Sequence, residues 1–194
     1  MIEQKDILCT ALKQCAWGYI FLYFNINIVT VNLLPSWVGY FLFYHAIKIG
    51  ISQYETSSNL LKPLAVFLGI YHGILWILGI FDVATNFYII NDIISVLTLY
   101  FQFQLLTNLS NIAGKYRCTH QKSLLTLRNI QTILTTATLF LVHTDWYGVI
   151  LFMVVVQVIV AICIYIELRS LRISLEQMPE DKWMIYTNIL EAEI

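Results

Sequence analysis

Eleven Lys and Arg residues are distributed in four clusters along 194 positions, and the chain between the clusters carries none. The clusters are Lys5 and Lys13; Lys48 and Lys62; Lys115, Arg117, Lys122 and Arg128; and Arg169, Arg172 and Lys182. The connections without basic residues, near Pro35, Asp82 and Asp145, are rich in Pro, Asn and Asp, which favour tight turns. Lys and Arg are retained on the cytoplasmic side of a membrane, whereas acidic residues contribute little to orientation. The alternation therefore predicts an all-α integral membrane protein. Six transmembrane helices form a bundle with the N-terminus in, the C-terminus in, short outer loops and a helical cytoplasmic tail.

Composition demands the same environment. With 59% apolar residues, 12% charged residues and a mean hydropathy of +0.72, a chain of this length cannot hide its apolar surface inside one water-facing globule. A crossing takes roughly 17–25 residues to span about 30 Å of hydrocarbon. The expected spans lie near 16–33, 36–50, 63–81, 86–107, 124–143 and 147–168, giving a membrane domain over 1–168 and a tail over 169–194. The second span reaches full length only if Lys48 snorkels, and the fifth carries five threonines; removing either would break the charge alternation.

Ile2 to Gln14 is amphipathic at helical spacing, suiting either a surface helix or an inward extension of the first span. Pro63 and Pro179 stand where a helix can begin, the latter followed by Glu180 and Asp181. Beyond it, Trp183, Ile185, Tyr186, Ile189 and Leu190 leave the tail partly apolar. All four cysteines fall toward the reducing side, so disulfides are not expected. No small-residue cleavage pattern follows the first apolar run, and the N-terminus is expected to be retained.

Ionisable and amide side chains inside spans are costly and mark protein-facing or water-filled positions. His72 and Asp92 lie on helices joined by a short outer turn, at depths that allow a direct or water-bridged contact. The pair suits a proton relay, a cation site or a structural hydrogen bond between helices. His45 and Glu167 are expected at the inner boundary, in reach of water. The run FNINIVTVN places Asn25 and Asn32 on one helical face and Asn27 off it, implying either a span surrounded by protein or unwound backbone around a cavity. Further polar lining is expected from Asn91, Gln102, Gln104, Gln131 and Gln157. The expected ligand-binding set is His72, Asp92, Asn25 and Asn32.

The chain contains no G-x-S-x-G, paired serine–histidine, H-E-x-x-H, C-x-x-C or glycine-rich phosphate-loop pattern. No catalytic residues, metal or cofactor are expected. The lipid bilayer is the expected surrounding, and no nucleic-acid partner is expected.

Asn25-x-Asn27 followed by Leu34-Pro35-Ser36-Trp37-Val38-Gly39-Tyr40 resembles the opening hairpin of a family of small bacterial multi-span membrane proteins with no assigned activity, over about the first quarter of the chain. In size, span number and orientation the chain is also similar to the substrate-binding subunits of energy-coupling-factor vitamin transporters, with Ala11-x-x-x-Cys15 standing for their small-residue coupling pattern. The expectation that follows is a non-enzymatic subunit or accessory factor of a bacterial inner membrane, engaging a cytoplasmic or membrane protein partner through the C-terminal tail. The alternative is small-solute binding or transport.

Overall fold

The computed structural model describes residues 2–24, 27–28, 31–32, 34–81, 88–144, 146–184 and 186. Helix α1 is Ile2–Tyr23. A two-residue antiparallel ladder follows, β1 (Asn27–Ile28) against β2 (Val31–Asn32), pairing Asn27 with Asn32. Helix α2 (Ser36–Ala46) begins after Pro35 and continues through a π-helical turn, Ile47–Ile51, into the single turn α3 (Ser52–Tyr54). A 3₁₀ segment, Thr56–Leu60, leads into α4 (Leu61–Ile80). Three long helices complete the chain: α5 (Tyr88–Lys115), α6 (His120–Leu141) and α7 (Tyr147–Glu176).

These elements make six rods that pack in chain order and close into a ring, α7 returning to α1. Successive rods are antiparallel. Gly39 approaches Gly18 while Gly50 approaches Ala11; Trp37 meets Trp76 and Tyr40 meets His72; Tyr71 meets Asn91 while Ser57 meets Asn108. Thr107 meets Arg128 while Ser110 meets Gln121; Thr138 meets Gln157 while His120 meets Ser174; Trp17 meets Tyr165 while Lys5 meets Met178. An even number of antiparallel rods brings the start of α1 and the end of α7 to one end of the bundle, the end that carries all eleven Lys and Arg residues.

Three helices, Thr56–Ile80, Ile89–Lys115 and Tyr147–Glu176, are long and apolar enough to cross a membrane. Their surfaces agree with that environment. Val66, Phe67, Ile70, Ile74 and Ile77 form an exposed stripe along α4, and Leu151, Phe152, Val155, Ile159 and Ile166 do the same on α7. Continuous exposed apolar surface of this extent is paid for in water and neutral in lipid, so the chain is a membrane protein.

Helix ends depart from the hydropathy limits for physical reasons. The first span, expected over 16–33, is helical only to Tyr23, because the polar segment before Pro35 leaves the helix. In the other direction α1 reaches back to Ile2 without a break, which makes the amphipathic start an extension of the same helix. Helix α7 runs on to Glu176 because Leu168, Leu171 and Leu175 are fully buried there. The core is asymmetric. Leu8, Leu12, Ile47, Ile51, Leu105, Leu109, Ile112, Leu124 and Leu171 fill the basic half of the bundle, and the opposite half is open.

Candidate functional site

The open half holds a cavity of about 630 Å³ to which all six rods contribute. Thirteen of its seventeen described lining residues carry a polar group, though most of the surface they present is apolar. The pattern is legible on two helices. Asn91, Ser95, Thr98 and Gln102 recur at four, three and four residues along α5, and Gln131, Thr135 and Thr138 do so along α6, so each set occupies one face. That spacing is the signal by which Ser95, Thr98, Thr135 and Thr138 could have been recognised beside the glutamines; of these two sets, only Gln131 sits beneath the lining rather than in it.

A hydrogen-bonded knot closes the floor. Tyr23 Oη donates to Gln102 Oε1 at 2.8 Å, and the Gln131 amide reaches both Tyr23 Oη, at 2.6 Å, and Gln102 Oε1. On one wall, Tyr40 Oη and Thr98 Oγ1 lie 3.1 Å apart. The Tyr40 ring stacks on His72 with centroids 5.2 Å apart and planes at 16°. Gln157 Nε2 donates to Thr138 Oγ1 at 3.1 Å, and Tyr71 Oη donates to Asn91 Oδ1. At the mouth, His143 Nε2 faces Asp92 Oδ2 at 3.4 Å, both side chains about half-exposed.

The structure therefore brings His72 and Asp92 to one cavity but gives them different partners. Asp92 meets His143 rather than His72, because His72 is held under the Tyr40 ring. His72 Nε2 is buried and has no hydrogen-bond partner among the described residues. Asn25 lies outside the described residues; Asn32 is placed only as a backbone partner of Asn27. Asn91, Gln102 and Gln157 line the cavity, whereas Gln104 turns away to donate to Asn108 at 2.9 Å. Among the described residues, the lining contains one carboxylate, two imidazoles and several hydroxyls and amides, but no Lys or Arg. Such a surface suits neutral or cationic polar solutes and repels anions.

The basic end corrects the expectation that no serine–histidine pair exists. His120 Nδ1 lies 2.8 Å from Glu167 Oε1 and its Nε2 lies 3.1 Å from Ser174 Oγ, a relay assembled across α6 and α7 from positions 54 residues apart. Glu167 is thus partnered and mostly buried. Ser174 sits inside α7, whose own backbone N–H groups are committed to the helix ladder. The relay is a clamp between helix ends. His45 Nδ1 instead lies 2.9 Å from Gln14 Oε1 on α1. Ala11 and Cys15 are fully buried, Ala11 against Gly50, so this small-residue pair serves close packing within the chain and is not displayed for coupling.

The tail folds back on the same end. Lys5 Nζ donates to Met178 O at 2.8 Å, and Trp183 stacks on Tyr116 with centroids 4.4 Å apart. Among the described residues, no three His, Cys, Asp or Glu side chains cluster as metal ligands. Comparison with protein-family models, curated proteins and solved structures finds no match.

Proposed function

We propose that the protein is a non-enzymatic, multi-pass membrane protein that binds a small polar solute in the open half of its bundle, as a carrier or as the solute-binding subunit of a larger assembly. All six rods cross the membrane in this reading, with the basic end and both termini in the cytoplasm and the cavity opening to the outside. The observation that carries it is the polar cavity of about 630 Å³, a size typical of small-molecule sites, built at the non-basic end by residues from every rod. At the basic end the polar side chains that are buried, such as Ser58 and Asn108, are bonded to each other inside a filled core, whereas here the space between the rods is left open.

The fit is to a neutral or cationic solute. Asp92 supplies the one negative charge among the described lining residues, and Asn91, Ser95 and Gln157 supply neutral hydroxyl and amide groups. A subunit that docks only through its tail is less well supported, since Trp183 is buried against Tyr116.

Ser95→Cys in a variant with Cys9, Cys15, Cys118 and Cys163 replaced by Ala tests the reading without knowledge of the solute. A cationic, water-soluble thiosulfonate added outside should modify it, and an anionic one should react on the order of tenfold more slowly, a difference that Asp92→Asn should narrow. Silence toward both reagents, or equal rates with Asp92 in place, would refute the cavity as a site for such solutes.

A further inference from the structure

A second pocket, of about 260 Å³, lies between α1 and α7 and is lined by Lys13, Ala16, Trp17, Tyr165, Arg169 and Arg172. Three cations from two helices converge on it, and no carboxylate lines it. Glu176, the carboxylate in ion-pair range of Arg172, stands 4.0 Å from Nε and is largely exposed. Mutual repulsion among three cations with no lining carboxylate favours an anion in this space.

Its level in the bundle indicates which anion. On α7 the exposed apolar surface ends at Ile166 and the basic residues begin at Arg169. On α1, Trp17 packs edge-on against Tyr165 at 5.9 Å, one turn from Lys13. Aromatic rings and basic side chains alternate in this way at the headgroup layer. We propose that this pocket is a specific site for the phosphate of an anionic phospholipid. Arg169 and Arg172 present forked donors to the phosphate oxygens, Lys13 adds a third cation, and Trp17 and Tyr165 offer faces to the glycerol and first methylenes. A zwitterionic choline headgroup fits less well, because no lining carboxylate receives its ammonium.

The test is native mass spectrometry of the full chain in detergent with equal amounts of phosphatidylglycerol and phosphatidylcholine. Lys13 and Arg169 are exposed, so Lys13→Gln/Arg169→Gln should fold while leaving the packed Arg172 in place. Lys122→Gln/Lys182→Gln removes equal charge from exposed positions elsewhere on the basic end. Wild type and the second variant should retain phosphatidylglycerol selectively, and the first should retain it on the order of thirtyfold more weakly. Equal weakening in both variants, or equal retention of the two lipids by wild type, would overturn the proposal. Displacement of the lipid by millimolar inorganic phosphate would overturn the headgroup assignment in favour of a soluble phosphate.

Discussion

Gln131 ties three rods together with one amide, reaching Tyr23 on α1 and Gln102 on α5 from its place on α6. Replacing it by Leu removes both bonds and brings an apolar side chain against the Tyr23–Gln102 pair, which we expect to lower stability by about 1–3 kcal/mol. Because Tyr23→Phe touches the same knot, the double variant should lose less than the sum of the single losses, with a coupling of about 0.5–3 kcal/mol readable from denaturation in detergent. The glutamines were legible as polar residues within apolar runs, but their meeting was not. Gln102 and Tyr23 are 79 positions apart, and no local periodicity reports a contact of that separation. Cys9 shows the same limit. Its place near the start of α1 is plain in the sequence, but burial between α1 and α7 pushes its thiol up from 9.0 to about 11. Burial penalises the thiolate, so below that range the reactive form is scarcer than in a free cysteine. Alkylation of Cys9 at pH 8 should run about a hundredfold slower than in the denatured chain and recover as pH approaches 11.

The α1–α2 rod pair depends on two small contacts. A Cβ at Gly39 would stand 2.8 Å from the Gly18 carbonyl oxygen, which is backbone and cannot turn aside. Gly39→Val is therefore expected to cost about 1–3 kcal/mol or more and to show as a lowered Tm, whereas Gly79→Val, with open space around it, should not. The end of α5 offers the opposite test. Arg117 has φ 50, and the bonds Cys118 N–H to Ala113 O and Arg117 N–H to Gly114 O close the helix in the manner that usually employs glycine. Arg117→Gly should raise stability by roughly 1 kcal/mol. At this scale, Pro35 stands where the turn before α2 was expected, Asp82 and Asp145 lie outside the described residues, and the positions of the rods followed from hydropathy. The ends did not, because a hydropathy window stops at the first charged turn, while α7 continues for as long as Leu171 and Leu175 have neighbours to bury against. The clamp of His120 between Glu167 and Ser174 forms at such an end and was hidden for the same reason.

Charge and packing divide the whole molecule along the same axis. All basic side chains and the dense core lie at one end, and the polar cavity lies at the other. The ring of antiparallel rods links the two facts, because fixing the side of any one turn fixes the side of every other and with it the direction in which the cavity opens. His72 and Asp92 marked that end in the sequence, whereas His143, set 51 residues beyond Asp92, joined them only through the fold. If the basic end is cytoplasmic, Thr144→Cys in the cysteine-free background should react with a membrane-impermeant maleimide in intact cells, and Thr119→Cys should react only after permeabilisation; both positions are exposed, so accessibility within the protein does not confound the comparison. The reverse pattern would turn the cavity toward the cytoplasm and make it a site for an internal solute. Labelling of both in intact cells would break the link between the ring and the membrane, since Thr119 precedes α6 and Thr144 follows it, and one helix that crosses the bilayer cannot present both ends to the same side.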